Sequence, residues 1–110
     1  MHDTGYITIF ITVGSEKEAE EIGKVLVEEK LIACVNIISG IRSIFHWEGK
    51  IWDEEELLLI AKSKESLFQK IKERIIELHS YDVPEIIALP IPLGSEEYLK
   101  WIDEVTLKNG

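Results

Sequence analysis

IACVNIISGIRSIFHWEGKIWDEEELLLIAK, residues 32–62, holds two β-rich runs on either side of Glu48-Gly49. β-Branched and aromatic side chains fill Ile32 to Trp47, interrupted only at Ser39-Gly40. Such a pair of small residues inside a strand pattern predicts a bulge or bend. Glu48-Gly49 turns the chain, and Ile51 to Lys62 returns as a second long strand ending in the apolar run Leu57-Leu58-Leu59-Ile60. Strands of roughly 15 residues at about 3.3 Å each reach near 50 Å. A domain of this length has a radius of gyration of about 13 Å. The hairpin must therefore break at Gly40 or project as an arm. An arm carrying Ile44, Phe45, Trp47, Ile51 and Trp52 exposes a large apolar surface of the kind that marks an interaction site. Subunits that pair through it, closed by symmetry, satisfy that surface.

The flanks supply the rest of the fold. Tyr6 to Val13 reads as a strand. Ser15 with Glu18 three residues on forms a capping box, so a helix follows with Ala19, Ile22, Gly23 and Leu26 on its inner face. After the hairpin, Ser63 is placed to cap a second helix with Leu67, Ile71, Ile75 and Leu78 as its apolar stripe. Glu85 to Ile91 is a strand. Gly94-Ser95 opens a third helix bearing Tyr98, Leu99, Trp101, Ile102 and Val105, with Glu96 and Glu97 suited to its first turn. The order β-α-β-β-α-β-α places the chain in the α+β class. Its first six elements are the βαββαβ pattern of the ferredoxin-like topology, with a C-terminal helix appended.

The chain has 110 residues, with no linker and no repeat, and reads as one domain over 1–110. Its net charge of −9 argues against nucleic acid, whose phosphates require clustered Lys and Arg. No apolar run approaches the ~20 residues that span a bilayer, and the N-terminal residues show no secretion signal. The lone Cys34 cannot form an intrachain disulfide, which fits a reducing, cytoplasmic setting. Glu far outnumbers Asp and Gln69 is the only glutamine, a bias common in heat-adapted proteins.

Chemistry-bearing residues concentrate in His79-Ser80-Tyr81-Asp82-Val83-Pro84-Glu85. His79 is either a helix C-terminal histidine favoured by the macrodipole or a ligand for a divalent cation, with Asp82 or Glu85 as oxygen partners. Pro84 forces Val83 extended, making Tyr81-Asp82 a connector. Cys34 and Asn36 share one strand face. Cys34 is a small strand hydrophobe or a soft-metal ligand. His46 beside Glu48 on the arm can chelate a cation or form a solvated edge. Asp53-Glu54-Glu55-Glu56 lacks EF-hand spacing and reads as a solvated, edge-protecting run. Lys62 is an ordinary strand-end lysine or an anion ligand. No nucleotide-binding or hydrolase motif occurs, and the glutamates at both Gly-Ser helix starts repel phosphate. The chain reads as a non-enzyme.

Glu29-Lys30-Leu31-Ile32-Ala33-Cys34-Val35-Asn36, the turn Trp47-Glu48-Gly49-Lys50, the strand Glu56 through Lys62-Ser63, His79-Ser80-Tyr81 with Pro84-Glu85, and Leu89-Pro90, Gly94 and Tyr98-Leu99-Lys100-Trp101 resemble, in order and spacing, the CutA divalent-cation-tolerance family. That resemblance implies a ferredoxin-like subunit in a tight homotrimer similar to the PII signalling proteins, with the arms pairing between subunits. It implies a cytoplasmic role in tolerance to copper and other divalent metals. Ser80 stands where the family usually has proline, Ser63 where it often has threonine, and His46 where an aromatic is common. Some copper-associated relatives carry a first-strand cysteine and a second histidine; here those positions are Ile11 and Leu78. Of that set only His79 remains, so the resemblance implies weak copper(II) or other divalent-cation binding through His79, with Glu85 or Asp82, and no obligatory cofactor. The alternative is a PII-like scaffold whose intersubunit clefts bind a small anionic effector through Asn36, Lys62, Tyr81 and Trp101.

Overall fold

The computed structural model describes residues 4–108. The elements are β1 (Tyr6–Val13), α1 (Glu16–Glu28), β2 (Cys34–Trp47), β3 (Lys50–Lys64), α2 (Phe68–Leu78), β4 (Ile86–Pro90) and α3 (Glu96–Val105), with one 3-10 turn, Glu65–Leu67, before α2. The four strands form one sheet of order β2-β3-β1-β4 with every neighbour antiparallel. This is the split βαβ arrangement expected from the element order. Among the described residues no helix is long and apolar enough to cross a membrane.

Strand alternation sorts the sheet into two faces. Ile7, Ile9, Ile11 and Val13 of β1 and Leu57, Leu59 and Ala61 of β3 point to the helices. There they meet Ala19, Ile22 and Leu26 of α1 and Ile71 and Ile75 of α2, all fully buried. α1 starts as its sequence dictates, with Ser15 Oγ accepting from the Glu18 N–H at 3.2 Å. The expected cap at Ser63 is not there. Ser63 is still strand, fully buried, and its hydroxyl donates to Leu31 O at 2.6 Å. The chain instead enters α2 through the 3-10 turn, with no side-chain cap.

The opposite face of the sheet carries Thr8 and Phe10 of β1, Leu58, Ile60 and Lys62 of β3, and Cys34 and Asn36 of β2. α3 covers only one end of it, through Cys34 Sγ to Tyr98 Oη at 3.4 Å and Lys64 Nζ to Asp103 Oδ1 at 3.4 Å. β4 borders it with Ile87 and Leu89, both about half exposed.

The hairpin resolves its length problem in both ways at once. The β2–β3 register slips between Ile38 and Ile41, at the predicted Ser39-Gly40, where Gly40 takes φ +77°. Beyond this bulge β2 and β3 continue as a two-stranded arm to Trp47↔Lys50. Glu48 and Gly49, at φ 51° and 76°, make a two-residue turn of the left-handed kind that matches hairpin twist. The arm lengthens the molecule to 43 Å on its long axis and leaves Ile44 66% and Ile51 70% exposed.

Candidate functional site

α2 ends at His79, whose N–H donates to Ile75 O at 2.8 Å while its own backbone turns extended. The chain then wraps the end of the sheet, and the histidine ring anchors it there. Nε2 lies 2.7 Å from Thr12 O, and Nδ1 accepts from the Tyr81 N–H at 3.1 Å. A carbonyl can only accept, so Nε2 carries the hydrogen and Nδ1 offers its lone pair inward. The side chain is wholly buried. Glu18 of α1 backs the same turn. Its Oε2 accepts from the Ser80 N–H at 2.7 Å and lies 3.8 Å from His79 Nδ1, and its Oε1 accepts from the Gly14 N–H at 3.4 Å. Burial pushes the Glu18 carboxyl up, but the Ser80 hydrogen bonds, then the charge His79 carries when protonated and the Gly14 N–H, outweigh it and hold the group below the usual carboxylate range.

These contacts aim Tyr81 across the sheet end. Its hydroxyl donates to Glu56 Oε2 at 2.6 Å, and its ring lies against Gly14, where a Cβ would sit 3.1 Å from the hydroxyl oxygen. The His79 and Tyr81 rings are 4.7 Å apart, centroid to centroid. Burial, then the hydrogen bond to Glu56 and the negative charges of Glu56, Glu18 and Glu54, push the phenol well above its ordinary pKa. Glu56 itself is only 5% exposed. The solvated reading of Asp53–Glu56 therefore fails at its last member. Glu56 has the same strand parity as Leu58 and Ile60, so it turns onto the sheet face that Tyr81 covers.

Loop and arm enclose a cleft of about 700 Å³. Thr12, Glu56 and Tyr81 line it at the end of the sheet. The arm contributes Ser43, Ile44, Phe45, Trp47, Trp52 and Glu54, and the loop contributes Ser80, Asp82, Val83 and Glu85. Asp82 and Glu85 thus line the same cleft, whereas the buried His79 is not part of its lining. His46, exposed near the arm tip, and Cys34, at the opposite end of β2, do not join them. Among the described residues no three His, Cys, Asp or Glu side chains are grouped to hold a metal ion.

The proposed anion residues divide in two. Lys62 Nζ donates to Asn36 Oδ1 on the open sheet face. Nearby, the Tyr98 ring, tilted against Trp101 at 5.4 Å, reaches Cys34. The hydrogen bond to Cys34, then burial, push the Tyr98 phenol up to about 12. Tyr81, in the loop after α2, instead reaches Glu56, six residues from Lys62 along β3. Sequence reasoning missed Glu18, Glu54 and Glu56 as site residues. The parity of Glu56 with Leu58 and Ile60 was the available signal.

A family model described as CutA1 divalent ion tolerance protein matches residues 7–105. The chain is 52% identical over 98 residues to the divalent-cation tolerance protein CutA of Thermus thermophilus, covering 89% of this chain and 95% of that one. It is 44% identical over 100 residues to the chloroplastic CutA of Arabidopsis thaliana, where it covers 91% of this chain but spans only 55% of the relative's length. The crystal structure of CutA1 from Oryza sativa superposes with a TM-score of 0.93 at 40% identity, over 97% of this chain and 98% of that one.

Proposed function

We propose that this chain, which belongs to the CutA1 divalent ion tolerance family, acts in the cytoplasm as a non-enzymatic homotrimer that takes up divalent cations weakly. One observation carries the cation reading. Among the described residues the cleft is lined by the carboxylates of Glu54, Asp82 and Glu85, and by Glu56 bonded to Tyr81, and by no lysine, arginine or histidine. Oxygen donors suit hard and borderline divalent ions. Asp82 and Glu85 are the natural first ligands, with water or a neighbouring subunit completing the shell. Copper(II) can recruit His79 only by displacing the Tyr81 N–H from Nδ1 or Thr12 O from Nε2.

The trimer reading is supported by the surface left open. The arm exposes Ile44 and Ile51, and the uncovered sheet face ends in Ile38, Ile87 and Leu89, each at least 43% exposed. β2 and β4 are both edges of the sheet. A closed ring of subunits covers such edges and faces together.

The test is native mass spectrometry of metal-free protein titrated with Cu²⁺, with Mg²⁺ as control, repeated on Asp82→Asn/Glu85→Gln. A trimer that retains copper, and loses it in the variant, is the expected result. A trimer that takes up no copper refutes direct metal binding. A second reading, a PII-like scaffold binding an anionic effector, is favoured by Lys62 standing on the open sheet face near Tyr98 and Trp101. Stabilisation by anionic metabolites and not by metals, in a thermal-shift screen at matched ionic strength, supports it.

A further inference from the structure

We propose that His79 is a pH-operated latch on the 80–85 loop: the neutral ring holds the loop by the Tyr81 amide, and the protonated ring releases that amide and pairs with Glu18. Tyr81 is tethered at two points. Its N–H donates to His79 Nδ1 at 3.1 Å, and its hydroxyl donates to Glu56 Oε2 at 2.6 Å. The first tether exists only while Nδ1 keeps its lone pair, because an imidazolium has two N–H donors and no acceptor. Nε2 already carries a hydrogen, directed at Thr12 O at 2.7 Å. The one proton the ring can gain therefore lands on the nitrogen that holds Tyr81.

A buried imidazolium needs an opposite charge beside it. The His79 side chain is wholly buried, and Glu18 Oε2 stands 3.8 Å from Nδ1. That oxygen accepts from the Ser80 N–H at 2.7 Å, and its second lone pair is free to take the ring. A charged hydrogen bond forms at about 2.7–2.9 Å, so ring and carboxylate must close by about 1 Å. The same proton faces the Tyr81 N–H, donor against donor, and drives that backbone away. With the amide tether cut, the cleft wall formed by Ser80, Asp82, Val83 and Glu85 is held by the Tyr81 hydroxyl and the Ser80 N–H. The other ionisable groups around the ring suit a positive charge. The loop brings the Tyr81 phenol, its ring 4.7 Å away, with Asp82 and Glu85 following in the cleft lining. β3 brings Glu56 and Glu54 behind the phenol. β1 and its end bring Thr12 and Gly14, which do not ionise, and Glu77 of α2 lies 3.5 Å from Arg74. The ring's partners are Thr12, Tyr81 and Glu18, none of them a proposed cation ligand, so the inference does not rest on the cation reading.

The experiment is an NMR pH titration of the full isotope-labelled chain in its native assembly. The buffer is chelator-treated, and circular dichroism marks global unfolding. The ring nitrogens report the tautomer and charge of His79, and hydrogen exchange reports the Tyr81 amide. At the neutral end the expected state is a bare Nδ1 and a protected Tyr81 amide. As the ring takes up its second proton, the Ser80 and Tyr81 amide signals should move with the same midpoint. Exchange at Tyr81, corrected for its intrinsic pH dependence, should rise about tenfold, the scale of one lost hydrogen bond. Glu18→Gln keeps an acceptor for Ser80 and removes the charge, so the midpoint should move to lower pH. His79→Gln should abolish the transition. Should that variant fail to assemble, the parent titration and the Glu18→Gln shift carry the test. A Tyr81 amide that ignores the protonation of the ring overturns the proposal, as does a loop transition that persists in His79→Gln. A midpoint unmoved in Glu18→Gln, or a ring that stays neutral until the chain unfolds, overturns it as well.

Discussion

Replacing Tyr81 by Phe tests whether the bond that closes the loop onto the sheet is structural. The hydroxyl donates to Glu56 Oε2 at 2.6 Å, and Glu56 is 5% exposed. A hydrogen bond to a charged group is worth about 1.5–3 kcal/mol net, and its loss leaves the buried acceptor unsatisfied. Tyr81 is 37% exposed, so water reaches the vacated position and the lower half applies. The expected loss is about 1.5–2 kcal/mol. Glu56→Gln removes the charge but keeps a carbonyl acceptor for the same hydroxyl, so its cost is smaller, about 0.5–1 kcal/mol. The asymmetry is the test, because a merely crowded pair would suffer comparably from either change. The assay is guanidinium unfolding at one fixed chain concentration, since the midpoint of the proposed trimer would move with concentration. A double-mutant cycle with Glu56→Leu then isolates the coupling. A Tyr81→Phe cost under about 0.5 kcal/mol, or a Glu56→Gln cost equal to it, refutes the assignment.

Gly40→Ala should cost about 1 kcal/mol from backbone alone, because φ is +77° and an added Cβ meets nothing within 4 Å; chemical denaturation measures it, and a neutral result would mean the bulge is not held at positive φ. Ile75→Ala should cost about 2–5 kcal/mol in the same assay, as for other fully buried isoleucines. The folded pKa of Glu18 lies below its unfolded value, so its stabilisation is fully present above the unfolded pKa and is lost as pH falls through the folded one. Glu18→Gln should therefore flatten the acid limb of the stability–pH curve, and an unchanged limb would show that Ser80 is held by something else.

Much of the fold was legible because it depends on local rules. The inner face of α1 was readable from its spacing, and Ser39-Gly40 and Glu48-Gly49 announced the bulge and the turn. Ser63 misled because a serine before an apolar stripe is a cap by local logic. Its true partner, Leu31 O, is 32 residues away and is set by packing. The site was less legible for the same reason. Asp82 and Glu85 were visible as acids near a histidine. Their meeting with Glu54, Trp47 and Trp52 depends on how far the bulge swings the arm, which no spacing encodes. Glu56 was hidden inside a run of acids, on the strand face opposite the core, and only the tertiary placement of Tyr81 buries it there.

His79 has both ring nitrogens committed within the chain, Nε2 to Thr12 O and Nδ1 to the Tyr81 N–H. To bind a metal through Nδ1 it must release the Tyr81 N–H, and through Nε2 it must release Thr12 O. Either release strands a polar group and costs about 1–3 kcal/mol. That penalty lowers affinity roughly five- to a hundred-and-fiftyfold before any metal–nitrogen bond is counted. Asp82 and Glu85 face the cleft with no such commitment. Under the proposed function, cation capture would fall to the carboxylates, while the ring holds the loop that presents them. It follows that His79→Gln, which can still donate to Thr12 O, should perturb the placement of Tyr81 and the stability of the loop more than it perturbs the uptake of a divalent ion. Metal uptake abolished in an otherwise intact His79→Gln trimer would reverse that order and make the histidine the ligand.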